Sequence, residues 1–253
     1  MLPVLMYHGL HASGEDRGRF DPVYSVRPDD FRHQLDWLLE HGYVGVRVDQ
    51  AEAVERQGKR PVVITFDDGD VSNVEAALPL LLERGMAAEF FITSDFIGQP
   101  GMVSPDDVRS LMAAGMGVGS HGRSHAFLED VSLEALYAEL HDSRLALQRI
   151  TGRAVTTLAL PGGRGGERER RVAMALGYTD LFGSVPGPNR QHRPGEWYQR
   201  LAITREMSLA HYADYVRWQG ARRMWMQARF HGLALPKRIL GNQRYERLRA
   251  RLL

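Results

Sequence analysis

Residues Val62 to Ser72 read VVITFDDGDVS. The run from Val62 to Phe66 is entirely apolar or β-branched, which predicts a strand buried on both faces of a parallel sheet. It ends directly in two adjacent carboxylates, Asp67 and Asp68, whose like charges repel unless a cation or solvent compensates. The stretch is therefore either a polar turn in water or a site that needs two carboxylates with different tasks.

Outward from this stretch, short apolar runs alternate with longer helical patterns. The other predicted strands are Pro3 to Tyr7, Val44 to Val48, Ala88 to Thr93, Met116 to Ser120 and Thr156 to Leu160. Such alternation predicts an α/β fold with a parallel sheet, although the pattern alone does not separate an open sheet from a closed barrel. In both forms, residues just past the carboxyl ends of the strands face the active site.

The composition limits the chemistry that this chain can perform. It has 253 residues and no Cys, which excludes disulfides, thiolate metal sites and a cysteine nucleophile. Any metal must therefore be held by His and carboxylate side chains. No nucleic-acid partner is expected, since neither the formal net charge of +1 nor a motif indicates one.

Charge is unevenly distributed along the chain. Residues 218–253 contain nine Lys or Arg and one acid, so they carry +8 and leave −7 on the rest. We therefore expect a single domain at 1–216 with a basic helical C-terminal extension at 217–253. The extension either packs on the barrel with a solvated Arg face or lies on anionic membrane lipid. The N-terminus lacks the pattern of a signal peptide. We expect a cytoplasmic protein, peripheral to the inner membrane where the extension docks.

The segment SHGRSH, from Ser120 to His125, follows the predicted strand Met116 to Ser120. His121 and His125 can converge on one ion if the backbone turns between them. Two surface histidines on a polar loop would give the same sequence pattern. Two imidazoles and one carboxylate of the Asp doublet form the ligand set of a hydrolytic zinc site. The second carboxylate could then accept a proton from water.

The chain resembles the polysaccharide deacetylases of the NodB-homology type. The resemblance rests on TFDDG (Thr65 to Gly69), SHGRSH, and LALPGG (Leu158 to Gly163), and it covers roughly Pro3 to Gly187. It implies a distorted (β/α) barrel of about seven parallel strands. It also implies a metal-dependent hydrolase that removes N-acetyl groups from amino sugars in a glycan or glycan precursor, as in exopolysaccharide biosynthesis.

The resemblance also implies roles for individual residues. Asp67 is the base, while Asp68, His121 and His125 bind a divalent metal, Zn²⁺ before Co²⁺, Ni²⁺ or Mn²⁺. The backbone N–H after Pro161, that of Gly162, would stabilise the oxyanion.

Two positions depart from the family pattern. Ala159 stands where many members have an Arg, which leaves Arg164 and Arg200 as replacements beside the base and as substrate contacts. The late Leu-x-His motif of the catalytic acid is missing. Relatives that act on poly-N-acetylglucosamine have a permuted order, and VLMYHGL here is similar to their N-terminal acid segment. We therefore expect His8 to be the acid, with His192 and His211 as alternatives.

Three other functions remain open from the sequence. The chain could remove a formyl or another acyl group from a lipid-linked sugar, or it could be a catalytically silent carbohydrate-binding member, as Ala159 would favour. A magnesium-dependent phosphoryl-transfer enzyme could also use the Asp doublet, although histidine ligands favour zinc-like metals.

Overall fold

The computed structural model describes residues 1–13, 19–187, 189 and 195–219. The strands are Val4–Tyr7 (β1), Gly9–Leu10 (β2), Ser25–Val26 (β3), Tyr43–Gly45 (β4), Arg60–Phe66 (β5), Glu89–Ile92 (β6), Gly117–Ser120 (β7), Thr157–Ala159 (β8), Asp180–Phe182 (β9), Trp197–Tyr198 (β10) and Leu201–Ala202 (β11). The helices are Pro28–Glu40 (α1), Val48–Arg56 (α2), Leu78–Glu83 (α3), Pro105–Ala113 (α4), Leu133–Thr151 (α5), Glu167–Ala175 (α6) and Leu209–Arg217 (α7).

The main sheet is parallel and has the strand order β10-β9-β8-β7-β6-β5-β1-β11. Strand β4 pairs with the first three residues of β5, and β2 pairs with β3 in a separate small sheet. The main sheet curls into a half-barrel with helices around it. The predicted class, a distorted (β/α) barrel in one domain, is therefore confirmed.

The environment of strand β5 explains why residues 62–66 do not alternate between apolar and polar side chains. Ile64 and Phe66 are fully buried in the large core cluster that the helices cover, whereas Val63 packs in a second cluster with Phe91 and Phe182. Both faces of the strand are therefore dry, and every position favours an apolar or β-branched side chain.

N-cap side chains fix where helices α4 and α5 begin. Ser104 accepts a hydrogen bond from the Asp107 N–H at the start of α4, and Ser132 does the same for Ala135 at the start of α5. A short π-helix, Asn73–Ala77, lies between the Asp doublet and α3. The helical segment after the Asp doublet therefore begins with a wider turn and continues as α3.

Helix α7 ends at Arg217, and the basic extension lies outside the described residues from residue 220 onward. The predicted boundary between 1–216 and 217–253 therefore stays a prediction. Among the described residues, no helix combines the length and the apolar character that a membrane span needs.

Candidate active site

The sequence-predicted site residues collect at one edge of the sheet. His8 follows β1, Asp67 and Asp68 follow β5, His121 follows β7, and Pro161 follows β8 by two residues. These strands are near neighbours in a parallel sheet, so their carboxyl ends meet at the same edge. The fold therefore brings together residues as far apart in the sequence as His8 and Pro161.

Asp68, His121 and His125 form a compact cluster in which one ligand atom of each residue lies within 4.8 Å of the others. Oδ1 of Asp68 lies 3.3 Å from Nε2 of His121 and 3.2 Å from Nε2 of His125. Nδ1 of His121 lies 2.9 Å from the carbonyl oxygen of Ala159. Because a carbonyl only accepts, this Nδ1 carries the proton and Nε2 presents its lone pair to the cluster.

The cluster fits a divalent metal on two observations. Oδ1 of Asp68 is buried without a hydrogen-bond partner among the described residues, although buried carboxylate oxygens are normally satisfied. Asp68 and His125 also have left-handed backbone conformations, with φ values of 76° and 65°, which non-glycine residues rarely adopt. Two nitrogens and one oxygen form a donor set suited to zinc-like ions.

Electrostatics also favour a cation in this cluster. Burial opposes ionisation of Asp68, but the adjacent imidazoles of His121 and His125 outweigh burial and hold the pKa of Asp68 well below its usual range. The carboxylate is therefore ionised, as a metal ligand must be.

Asp67 is held differently from its neighbour. Its Oδ1 and Oδ2 accept hydrogen bonds from Nη1 and Nη2 of Arg200 at 2.7 and 2.8 Å, a bidentate pair inside the protein. Arg200 is fully buried, and its Nε donates to the carbonyl of Gly183 at 2.6 Å. Burial alone would raise the pKa of Asp67, but Arg200 and His121 outweigh burial and lower it.

Of the two arginines considered as replacements for the missing motif Arg, only Arg200 contacts Asp67. Arg164 instead lies 3.7 Å from a carboxylate oxygen of Glu129 and over the ring of Phe127, with 5.6 Å from its Cζ to the ring centroid. It borders the turn Pro161–Gly163, where Gly162 has a φ of 65°. A Cβ at Gly162 would overlap the ring of Phe127, so glycine permits the close approach of these groups.

His8 is partly buried beside two aromatic rings. Its imidazole stacks on Tyr24 with centroids 4.7 Å apart and lies 5.3 Å from Phe20. Burial lowers the pKa of His8, and the charges of Asp68 and Asp67 oppose that shift. The alternative His211 lies at the start of α7, while His192 lies outside the described residues.

Sequence reasoning missed one residue that shapes the metal cluster. Glu139 on α5 is buried, and its Oε2 accepts hydrogen bonds from the backbone N–H groups of Arg123 and Ser124, both at 2.9 Å. Its Oε1 also accepts from the Ser124 hydroxyl at 2.7 Å. A Glu inside a long amphipathic helix carries no local signal for this role, because the loop it binds lies at least 15 residues away.

Comparison with known proteins assigns the family. The polysaccharide deacetylase family model matches residues 55–181, and this chain belongs to the polysaccharide deacetylase family. YxkH of Bacillus subtilis (strain 168), which is named a polysaccharide deacetylase, is 26% identical over 219 residues that cover 85% of this chain and 76% of YxkH. The resemblance stated from the sequence motifs is therefore confirmed.

Two further relatives extend the comparison. The peptidoglycan-N-acetylglucosamine deacetylase PgdA of Listeria monocytogenes is 29% identical over 153 residues, which cover 60% of this chain and 31% of PgdA. The structure of IcaB from Ammonifex degensii superposes with a TM-score of 0.72 at 25% identity, covering 85% of this chain and 97% of IcaB. The match to IcaB therefore spans nearly all of that chain.

Proposed function

We propose that this protein is a metal-dependent hydrolase that removes an N-acetyl group from an amino sugar in a glycan. Membership of the polysaccharide deacetylase family supports deacetylation of a glycan. The observation that carries the finer proposal is the different environment of two adjacent carboxylates. Asp68 belongs to a cluster of metal-ligating side chains, while Asp67 is paired with Arg200.

In the proposed reaction, Asp68, His121 and His125 would hold a divalent ion. Zn²⁺ is the expected ion, and Co²⁺, Ni²⁺ and Mn²⁺ are the alternatives. Such an ion, when bound, supplies a Lewis acid that makes water a good nucleophile at neutral pH. Asp67 is the base that accepts the proton of the attacking water. Arg200 keeps Asp67 ionised and fixes its orientation, because both carboxylate oxygens are hydrogen-bonded to one rigid guanidinium.

Two further groups complete the proposed reaction. The N–H of Gly162 stabilises the negative charge on the former carbonyl oxygen, and Pro161 fixes the turn that presents it. His8 donates a proton to the nitrogen as the C–N bond breaks, since an amine is a poor leaving group without one. Arg164, beside Phe127 at the same edge, contacts the saccharide.

The proposed substrate is an N-acetylated saccharide. PgdA acts on N-acetylglucosamine in peptidoglycan by its name, which supports an N-acetylglucosamine unit here. The alternative substrate is a lipid-linked amino sugar. The basic extension 217–253 would bring the enzyme to such a substrate by binding anionic membrane lipid. Co-sedimentation of the full chain with anionic but not neutral liposomes would support docking, and equal recovery on both would exclude it.

The direct test is a screen for released acid. The purified protein, supplemented in turn with each of the four metals, is incubated with N-acetylated chito-oligosaccharides, sugar nucleotides and lipid-linked amino sugars. Acetate release matched by new free amine supports the proposal, with Asp67→Asn as the inactive control. Formate in place of acetate would identify a deformylase, and saccharide binding without any acid release would identify a silent binding member.

A further inference from the structure

Side chains connect the segment that carries His8 to the segment that follows the Asp doublet. The two segments, residues 8–11 and 70–73, run in opposite directions. Their contacts are Asn73 Nδ2 donating to His8 O at 2.7 Å, Leu10 N–H donating to Ser72 Oγ at 2.8 Å, and Asp70 Oδ1 lying 3.2 Å from His11 Nε2. Asp67 and Asp68 immediately precede the second segment, so these contacts tie the proposed acid to the proposed base and metal ligand.

Asn73 is the member of this set that touches His8 itself. It is 1% exposed, and its Nδ2 donates to the His8 carbonyl. Its Oδ1 is buried and has no hydrogen-bond partner among the described residues. An unsatisfied buried amide oxygen normally destabilises a protein. Asn73 is therefore a poor choice for stability alone, although its donor reaches a backbone group that a purely apolar side chain would leave unpaired.

Among the described residues, none forms a hydrogen bond with the imidazole of His8. Its Nδ1 is buried without a hydrogen-bond partner in the described part of the chain, and its ring contacts are the aromatic rings of Tyr24 and Phe20. Stacking leaves a ring free to slide in its plane, whereas a hydrogen bond would fix it. The position of the ring therefore depends on how firmly the His8 backbone is held.

We propose that Asn73 is a positioning residue that holds the His8 backbone so that the imidazole can protonate the departing amine. This inference rests on the proposed function, in which His8 is the acid. The reaction is the hydrolysis of an amide: water adds to the carbonyl carbon, the C–N bond breaks, and the amine nitrogen takes its proton from His8. A small displacement of the donor would slow only the step that needs this proton.

The test compares two substrates that differ in this need. The N-acetyl amide of a chito-oligosaccharide requires protonation of its leaving amine, whereas 4-nitrophenyl acetate releases a phenolate that leaves without it. Asn73→Ala should lower kcat for the amide on the order of 10–100-fold, with little change in KM or in ester hydrolysis. His8→Ala should show the same selectivity with a larger loss, on the order of 10²–10⁴-fold.

Two further variants separate positioning from folding. Asn73→Leu fills a similar volume and exchanges one unsatisfied buried oxygen, Asn73 Oδ1, for another, the His8 carbonyl, so Tm should change little while amide activity is still lost. Gln148→Ala removes another side-chain contact to a backbone group, the Val155 N–H at 3.3 Å, near the amino end of β8, and should leave the ratio of amide to ester activity unchanged.

The double variant His8→Ala/Asn73→Ala tests whether Asn73 acts through His8. If Asn73 acts through His8, adding Asn73→Ala to His8→Ala should cost no further amide activity, whereas independent effects would multiply. Multiplying effects, or equal losses on amide and ester, would overturn the inference. An unchanged amide rate in His8→Ala would instead remove His8 as the acid and thereby overturn that part of the proposed function.

Discussion

Arg200 and Asp67 lie 133 residues apart in the chain and form a buried bidentate ion pair. Only Gln199 and Arg200 separate β10 from β11, and these strands pair at opposite ends of the main sheet. Arg200 therefore sits where the two ends of the curled sheet approach each other, and it reaches from there to the end of β5. The orientation of the proposed base thus depends on closure of the half-barrel.

Removal of Arg200 should shift the pH dependence of the reaction. Arg200 favours the ionised form of Asp67 and lowers its pKa, so Arg200→Met should raise that pKa and move the acid limb of the kcat profile to higher pH. Because an unpaired carboxylate would remain buried, stability at neutral pH should also fall by about 3–5 kcal/mol.

The matched control for this experiment is Arg164→Met, since Arg164 is paired with Glu129 rather than Asp67. It should change KM at most and leave the acid limb in place. The pH–rate profiles and urea unfolding curves of both variants provide the measurement. An acid limb that stays fixed in Arg200→Met would refute the coupling of the ion pair to the base.

The two adjacent carboxylates should have separable phenotypes. Asp67→Asn removes the proposed base and leaves the three ligands, so the protein should keep its metal and lose about 10²–10⁴-fold in kcat. Asp68→Asn should instead weaken metal binding, because it removes the charged ligand. Metal content by elemental analysis and acetate release, measured on the same samples, distinguish the two; exchanged phenotypes would reverse the assignment.

Glu139 should control metal affinity without touching the metal. Its carboxylate holds two backbone N–H groups and one hydroxyl in the loop that leads to His125, a non-glycine residue with a left-handed backbone conformation. Glu139→Ala should raise the metal Kd about 10–100-fold, while Glu139→Gln, which keeps one acceptor oxygen, should raise it less.

The control for Glu139 is Asp142→Ala, which removes a half-exposed carboxylate on the same helix that bonds the Arg123 side chain at 3.1 Å. Competition with a chromogenic chelator measures the Kd of each variant. Equal affinities in wild-type protein and Glu139→Ala would show that the loop holds its shape without this carboxylate.

The sequence predicted the parts of the site that local motifs encode. A buried strand that ends in Asp67 and Asp68, and two histidines after another strand, follow from the residues themselves. Arg200 could only be named as one of two candidates, because its position depends on how a sheet of many strands closes. Glu139 and Asn73 were missed, since each acts on a backbone group whose proximity is created by tertiary packing.

Glu89 should make stability depend on pH in a region away from the candidate site. It is 3% exposed at the start of β6, and its Oε1 accepts from the Val48 N–H at 2.9 Å. Burial raises its pKa from 4.5 to about 7. The folded protein therefore binds this proton more tightly than the unfolded chain does, and the resulting stability is lost as the pH rises through about 7.

Glu89→Gln mimics the protonated acid and should remove this loss. The variant should match the wild type near pH 5 and exceed its unfolding free energy at pH 8.5 by up to about 3 kcal/mol. Glu134→Gln, at an exposed position of α5, is the control and should follow the wild type throughout. Chemical denaturation at several pH values measures the difference; parallel curves for Glu89→Gln and wild type would contradict the prediction.

The proposed need for a metal is tested most directly by metal titration of chelator-treated protein, followed by acetate release from an N-acetylated chito-oligosaccharide. The metal-free protein should be inactive, and the rate should rise linearly with Zn²⁺ until about one equivalent is bound. His121→Ala, which removes a ligand, should require far more metal or remain inactive. Full acetate release by the metal-free protein would contradict metal dependence, and an unchanged titration in His121→Ala would contradict the proposed ligand set.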